Sequence, residues 1–254
     1  MTSFELSDLA QRYSKRLAII VPYRDRAEHL AQFVPHLVTY FQRDKLDRQI
    51  AWSLHVVEQA PGLPFNRGAL LNFGFMQARE NADYFAFHDV DYLPIWADYS
   101  WSSNPARLIW HGLRLGEDYD RFFGAVVMFD KPAFERVNGF SNCYWGWGPE
   151  DRDLLDRCII AGLKVEMRDG TYQALPHECT GFDIGPTGQR VHRPAAVSAL
   201  KLYAERKPRQ RELMAEDGLN SLCASLARRT QIKVNGRDLA NSFHYGVVLA
   251  DPGG

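Results

Sequence analysis

Short apolar runs alternate with amphipathic stretches along the first third of the chain. Uninterrupted apolar residues at 17–22 predict a short, fully apolar strand. Apolar side chains then recur at helical spacing, which predicts an amphipathic helix that Pro35 kinks. The apolar face of this helix comprises Leu30, Phe33, Val34, Leu37, Tyr40 and Phe41. Further apolar runs at 50–58 and 84–88 predict the second and third strands.

Capping residues mark where further helices begin and end. Asn66 and Asp130 each precede a helical pattern, and their side-chain oxygens can accept the first free backbone N–H groups. Residues 150–160 form an amphipathic helix that Gly162 would end as a C-cap. Between the helix that follows Asn66 and the helix that follows Asp130, the apolar run 122–129 predicts another strand.

The last third of the chain has a different pattern. Residues 164–167 predict one more strand, and the polar segment 194–216 predicts helix. A terminal strand pair is predicted at 231–234 and 243–249, with Asn235-Gly236 as a turn. The β-α-β-α-β order that comes before predicts an α/β fold, which binds its ligands at the carboxyl ends of the strands.

Composition narrows the class of protein. The 254 residues are 46% hydrophobic and 24% charged, which is typical of a folded chain of one large or two small domains. A net charge of −1 provides no general basic field, so we expect no nucleic-acid partner. The four cysteines form no CxxC pair, which excludes a zinc ribbon. Because no apolar run approaches the ~20 residues of a membrane span and 1–16 lack a signal-peptide pattern, we expect a cytoplasmic protein.

Charged residues follow the predicted strands where a ligand would lie. Asp89-x-Asp91 comes directly after a strand, and such a pair can bind a divalent cation together with phosphates or simply form a solvated turn. Arg24, Arg26 and Arg67 lie at strand ends or at a helix start, where guanidinium groups bind phosphate or form surface ion pairs.

An aromatic, glycine-rich segment precedes the helix at 150–160. Trp145-Gly146-Trp147-Gly148 is suited to a mobile lid, and we expect residues 146–190 to be mobile without a ligand and ordered when one binds. Glu150 and Asp151 follow at the helix start, where they either stabilise the helix dipole or include a general base. The histidines next to predicted loops are either structural or ligands; they are His88, His177 and His192.

Five segments together resemble the β-1,4-galactosyltransferase family, and most closely its xylosylprotein galactosyltransferase branch. They are VPYRDR (21–26), FNRGALLN (65–72), FHDVDYLP (87–94), NGFSNCYWGWGPED (138–151) and DGLNSL (217–222). The stretch FVPHL (33–37) and the tail that starts at Gly218 support this branch. The resemblance implies a GT-A glycosyltransferase fold, with a Rossmann-like mixed sheet flanked by helices. It implies one catalytic domain (1–254), with a nucleotide-sugar half (17–130) and an acceptor and lid half (131–254).

The resemblance also implies a reaction and its residues. The expected activity is inverting transfer of galactose from UDP-galactose to a sugar hydroxyl in a β-1,4 linkage, with Mn²⁺ as cofactor. The donor and nucleotide site would include Pro22, Tyr23, Arg24, Arg26, Phe65, Arg67, Asp89, Asp91, Phe122, Trp147 and Gly148. The carbohydrate acceptor would be held by Tyr119, Trp147, Glu150 and Asp151, and the metal by Asp91 and His192. Asp151 would be the catalytic base, ionised at neutral pH by an ordinary pKa of about 3.9, and the bulky ring of Phe122 would select galactose.

The sequence departs from the family pattern in three places. Arg190 stands where the xylose-specific branch has the first histidine of a metal-binding pair, so His192 remains alone or His177 compensates. Arg152 interrupts the acidic run after Asp151. No N-terminal anchor is evident, so we expect a cytoplasmic enzyme, or one peripheral to the inner membrane, that decorates a polysaccharide or glycolipid precursor. The alternatives are UDP-N-acetylgalactosamine or UDP-glucose as donor and a non-catalytic carbohydrate-binding homologue; xylose, glucose and N-acetylglucosamine acceptors all remain open.

Overall fold

The computed structural model describes residues 14–43, 50–109, 123–178 and 181–250. The strands in this part of the chain are β1 (Arg16–Tyr23), β2 (Ala51–Gln59), β3 (Tyr84–His88), β4 (Tyr92–Ala97), β5 (Ala106–Arg107), β6 (Val126–Asp130), β7 (Glu166–Met167), β8 (Gly170–Ala174), β9 (Phe182–Ile184), β10 (Arg190–His192), β11 (Ala224–Val234) and β12 (Arg237–Leu249). The α-helices are α1 (Ala27–Arg43), α2 (Arg67–Ala78), α3 (Lys131–Arg136), α4 (Glu150–Ile160), α5 (Pro194–Arg206) and α6 (Gln210–Glu216). Short 3₁₀ turns occupy Lys207–Arg209 and Leu219–Ser221.

Within the described residues, a mixed sheet of eight strands forms the centre, in the order β11-β12-β2-β1-β3-β6-β5-β7. β1 runs parallel to both β2 and β3, whereas β6 pairs antiparallel with β3. Two antiparallel pairs, β4 with β8 and β9 with β10, lie outside this sheet. None of the helices in the described residues is long and apolar enough to cross a membrane.

β1 is apolar throughout because both of its faces are buried. Leu17, Ile19 and Val21 pack with α1 in one hydrophobic cluster. Ala18 and Ile20 pack with α2 in the other. The strand therefore joins two cores, one on each side of the sheet, and its carboxyl end is held rigidly from both sides.

Helix starts follow the predicted caps. The Asn66 side chain accepts a hydrogen bond from the Ala69 backbone N–H at 2.9 Å, and Asp130 accepts one from Ala133 at 2.8 Å. A Cβ at Gly74 would lie 2.3 Å from Ile20 Cγ2, so only glycine lets α2 approach β1 this closely. α1 continues through Pro35 to Arg43.

The C-terminal hairpin is larger than its sequence pattern indicates. Its turn is the predicted Asn235-Gly236, with φ values of 52° and 75°, as a type I′ turn requires. Its strands, however, begin at Ala224 and extend to Leu249, and β12 pairs in parallel with β2. The predicted segments 231–234 and 243–249 are therefore parts of two long strands of the main sheet.

The other strand predictions were partly correct. β3 has the predicted bounds, while the run at 122–129 contributes a strand only from Val126. The segment 164–167 forms only the two-residue β7. β8 and the β9–β10 hairpin had no prediction: the hairpin strands are mostly exposed, and β8 is short, with buried Gly170 and Tyr172 beside exposed Gln173 and Ala174.

Candidate active site

The parallel strands bring three chain segments to one edge of the sheet. Tyr23 ends β1, Gln59 ends β2, and Asp89 and Asp91 follow the end of β3. The β1–β2 register pairs Tyr23 with Glu58, so these strands end side by side. The predicted donor residues of β1 and β3 thus meet at the carboxyl edge, as an α/β sheet favours.

Arg67 forms the centre of a partly buried charged cluster. From the start of α2, its Nε donates to Asp89 Oδ1 at 2.7 Å, and its Nη1 lies 3.7 Å from Glu150 Oε1 at the start of α4. Its Nη2 is buried and has no hydrogen-bond partner in the described part of the protein. One donor of a held guanidinium is therefore free to bind an anionic ligand.

The two carboxylates at the start of α4 have unusual acidity. Burial raises the pKa of Glu150 to about 8, although Arg67 opposes the rise. Burial also raises the pKa of Asp151, whose Oδ1 accepts the Arg152 backbone N–H at 2.7 Å. The expected ordinary pKa for Asp151 is therefore wrong, because the residue starts its helix inside the site rather than in solvent. Burial lowers the pKa of Arg67, but Asp89 and Glu150 outweigh this effect and raise it.

Asp91 contacts a histidine from a distant part of the chain. His177 Nε2 lies 2.8 Å from Asp91 Oδ2, and Asp91 is buried. The backbone N–H of Leu175 donates to the Asp91 carbonyl at 2.7 Å, which fixes the segment after β8 against the loop after β3. Burial and the neighbouring Asp89 raise the pKa of Asp91.

The end of β1 is organised by polar and aromatic contacts. Arg24 Nη1 donates to the Leu63 carbonyl at 2.7 Å, and its guanidinium lies 5.4 Å from the Phe65 ring centre. Tyr23 meets the edge of the His244 ring at 5.8 Å, and burial raises the pKa of Tyr23. Pro22 is buried within the strand.

The Trp-Gly segment joins the donor side to the second half of the chain. Gly146 has a φ of +80°, and its N–H donates to the Phe65 carbonyl at 2.6 Å. Trp147 lies 5.7 Å from the His192 ring, and a Cβ at Gly181 would be 2.5 Å from the Trp147 ring. A Cβ at Gly148 would be 2.8 Å from Tyr144 Cβ, so the segment packs tightly at Gly148, and the Trp147 ring packs tightly against Gly181.

The two predicted metal ligands, Asp91 and His192, contact different partners in the structure. Asp91 pairs with His177, whereas His192 is exposed and contacts Trp147 and Phe182. Among the described residues, no group of three His, Cys, Asp or Glu side chains is arranged to hold a metal ion. Tyr119 and Phe122 lie outside the described residues, and their predicted roles stay predictions.

A buried polar network supports the site, and sequence reasoning did not predict it. Asn72 in α2 bonds to the Phe140 N–H and carbonyl at 2.9 and 2.8 Å and to Asn142 Oδ1 at 2.9 Å. Asn142 in turn donates from its backbone to Asp217 at 2.8 Å. An Asn inside the apolar stretch LLNFGF was the available signal, because a buried amide requires partners.

Two family models match this chain in succession. One is described as the N-terminal region of glycosyl transferase group 7 and matches residues 8–101; the other, the N-terminal domain of galactosyltransferase, matches 110–178. Human β-1,4-galactosyltransferase 7 is 34% identical over 225 residues, which are 87% of this chain and 64% of the human protein. The Drosophila melanogaster protein of the same name is 36% identical over 170 residues, which are 64% of this chain and 52% of the fly protein. The chain thus spans about one half to two thirds of the length of these relatives.

Solved structures agree with the sequence relatives. The catalytic domain of Drosophila β-1,4-galactosyltransferase 7, in complex with xylobiose, superposes with a TM-score of 0.70 at 26% identity, covering 93% of this chain and 95% of the fly domain. A mutant of that protein in complex with manganese, UDP-Gal and xylobiose has a TM-score of 0.67 at 27% identity. The chain belongs to the β-1,4-galactosyltransferase family.

The likeness to these solved structures confirms the predicted GT-A fold, and in such a sheet ligands bind at the carboxyl edge of the strands. Of the predicted donor residues, the structure joins Arg67 to Asp89 directly, and Gly146 joins the Trp-Gly segment to Phe65. Of the predicted acceptor residues, Glu150 lies next to Arg67, with 3.7 Å between Glu150 Oε1 and Arg67 Nη1.

Proposed function

We propose that this protein transfers galactose from UDP-galactose to a sugar hydroxyl, with inversion at the anomeric carbon and a divalent metal as cofactor. The observation that carries the proposal is the partly buried Arg67, which Asp89 and Glu150 hold while its Nη2 has no hydrogen-bond partner among the described residues. A diphosphate is the complementary ligand, because its oxygens can accept from this donor. The names of the relatives and the UDP-Gal held by the fly protein support the donor.

The residues beside Arg67 suit a manganese-type cation. Asp91 offers a carboxylate oxygen within 2.8 Å of an imidazole nitrogen, and both are ligand atoms that such ions accept. Asp91 would hold the metal together with histidine nitrogen and phosphate oxygens. When bound, the metal would act as a Lewis acid on the diphosphate of the departing UDP. Arg67 would add a fixed positive charge on the same group, already oriented by Asp89 before the donor arrives.

Asp151 is the proposed general base. It would take the proton from the attacking hydroxyl while that oxygen bonds to the anomeric carbon and the bond from this carbon to the UDP oxygen breaks. The pKa that burial raises makes the carboxylate a stronger base than an exposed Asp. Glu150, held near Arg67, would position the acceptor through its other carboxylate oxygen. Trp147 would cover the sugars, since its ring stands at the junction with the β9–β10 hairpin.

The acceptor that we propose carries a terminal β-xyloside. Xylobiose occupies the fly galactosyltransferase structure, and the curated relatives with that name align along most of this chain. Galactose as the transferred sugar depends on Phe122, whose role stays a prediction. A cytoplasmic location, or one peripheral to the inner membrane, is likewise a proposal, which fractionation of the native cells would test.

The decisive experiment compares Asp151→Asn with the wild-type protein. We expect Mn²⁺-dependent UDP release from UDP-galactose with β-xylosides, and a loss of about 10²- to 10⁴-fold in kcat for the variant. UDP affinity, measured by calorimetry, should stay within twofold, and Asp238→Asn, at an exposed position of β12, serves as a matched control. Wild-type turnover that survives in Asp151→Asn would contradict the role of this base. UDP binding without release from any UDP-sugar would favour the carbohydrate-binding alternative, and faster release from UDP-N-acetylgalactosamine or UDP-glucose would change the donor.

A further inference from the structure

The pair formed by Asp91 and His177 joins the loop after β3 to the segment after β8. Asp91 follows β3 in the central sheet, and His177 follows β8, which pairs with β4. The Leu175 N–H bond to the Asp91 carbonyl, at 2.7 Å, connects the two segments directly. The side chains meet at 2.8 Å between Nε2 and Oδ2 without any contribution from the β9–β10 hairpin.

The contact of the other ring nitrogen of His177, Nδ1, indicates where the ring carries a proton. Nδ1 lies 2.8 Å from the Glu178 carbonyl oxygen, which can only accept, so this contact places the ring proton on Nδ1. Nε2 then faces the Asp91 carboxylate in one of two ways: it carries a second ring proton and donates it to Oδ2, or it presents a lone pair, in which case Nε2 and Oδ2 are two acceptors that a shared cation would join. A carbonyl that orients the ring through the opposite nitrogen is the usual support for a metal-bound histidine.

A competing arrangement exists and must be separated by experiment. Arg26 Nη2 lies 3.2 Å from the same Nδ1, and a guanidinium only donates. If Arg26 donates to Nδ1, then the proton resides on Nε2 and His177 is a simple hydrogen-bond donor to Asp91. The Glu178 contact is the shorter of the two by 0.4 Å.

The distance also fits two ligands of one cation. Ligand atoms about 2.1 Å from an octahedral ion, and at right angles to each other, are separated by about 3.0 Å. The separation of 2.8 Å between Asp91 Oδ2 and His177 Nε2 is close to this value. Such ions commonly take only one or two protein ligands and complete their shell with phosphate and water, so a third side chain is not required.

The β9–β10 hairpin lacks an equivalent pair. His192 on β10 is exposed and contacts the Trp147 and Phe182 rings. Two residues before His192 on β10, the Arg190 guanidinium lies 4.7 Å from the Phe182 ring centre and brings positive charge to the hairpin. A cation held by this hairpin would therefore have a cationic neighbour rather than a second neutral imidazole.

We propose that His177 is a metal ligand of this protein and forms, with Asp91, a cation site that exists before the β9–β10 hairpin contributes. The proposal rests on the proposed metal-dependent function. It predicts that the protein binds Mn²⁺ in the absence of UDP and of donor. It also predicts that the affinity of this binary complex depends on His177 and not on His192.

Electron paramagnetic resonance of Mn²⁺ tests the proposal without any turnover. Titration without nucleotide should give a Kd that rises at least 10-fold in His177→Ala and in Asp91→Asn, but less than twofold in His192→Ala. His29→Ala is the matched control, because His29 is a half-buried neighbour that contacts Arg26 and the Pro176 carbonyl. Pulsed measurements should detect histidine ¹⁴N coupling to Mn²⁺ in the wild type and in His192→Ala, which keeps the test valid if His177→Ala does not fold.

The outcomes separate this proposal from the proposed function. Unchanged Mn²⁺ affinity in His177→Ala, or loss of the nitrogen coupling in His192→Ala, overturns the role of His177 even if the wild type transfers galactose. Mn²⁺ binding that depends on His177, in a protein that releases no UDP from UDP-galactose, supports the site and contradicts the galactosyltransferase function.

Discussion

Replacing Glu150 by Gln should stabilise the unliganded protein at high pH. Burial raises the pKa of this carboxyl from its ordinary 4.5 to about 8 in the folded state, so folded protein keeps a proton that unfolded protein releases. Stability contributed by a proton held in this way is complete below about pH 4.5 and is lost as the pH rises to about 8. At about 1.4 kcal/mol for each pH unit, the loss is on the order of 5 kcal/mol.

Urea unfolding at pH 5 and at pH 9 measures this effect in wild type and Glu150→Gln. The two proteins should have similar free energies of unfolding at pH 5, and the variant should be more stable by several kcal/mol at pH 9. Glu135→Gln, on the exposed surface of α3, controls for loss of a carboxylate elsewhere. A difference between wild type and Glu150→Gln that is the same at both pH values would refute the raised pKa. A wild type that gains stability relative to the variant as the pH rises would mean that Arg67 dominates over burial.

Two further substitutions test the lid contact and the buried network. Gly181→Ala places a Cβ 2.5 Å from the Trp147 ring, so Trp147 must shift. We expect kcat/KM for UDP-galactose to fall about 10- to 100-fold because the lid residue is displaced. Unchanged kinetics would refute this role of the contact. Asn72→Ala removes three hydrogen bonds and leaves the Phe140 N–H and carbonyl without their partner, so urea unfolding should show a loss of about 2–4 kcal/mol. A loss below about 1 kcal/mol would mean that water replaces the amide.

Local features of the fold were predictable because their causes lie within a few residues. The apolar run at 17–22 became β1, since burial on both faces removes any need for alternation. Asn66 and Asp130 cap their helices through bonds that reach only three residues ahead. The turn at Asn235-Gly236 was readable because positive φ values favour these residue types.

Features that depend on distant partners were not predictable from local patterns. β11 is mostly exposed, so its apolar pattern is weak although its pairing with β12 extends along 224–234. The contact between Asp91 and His177 joins segments separated by more than eighty residues, and no periodicity indicates it. The raised pKa of Asp151 also arises from tertiary burial, which its place at a helix start does not reveal.

The acidic run after Asp151 has a structural role that changes how the Arg152 departure is interpreted. Asp153 is buried, and it accepts from Arg157 Nε at 2.6 Å, from the Tyr144 hydroxyl at 3.1 Å and from Gln210 at 2.6 Å. Tyr144 directly precedes the Trp-Gly segment, so Asp153 anchors the start of the proposed lid rather than the acceptor. Arg152 therefore lies between two carboxylates with different roles, Asp151 in the proposed site and Asp153 in the buried network. Of this acidic run, Glu150 and Asp151 are the residues near Arg67 that could hold a sugar.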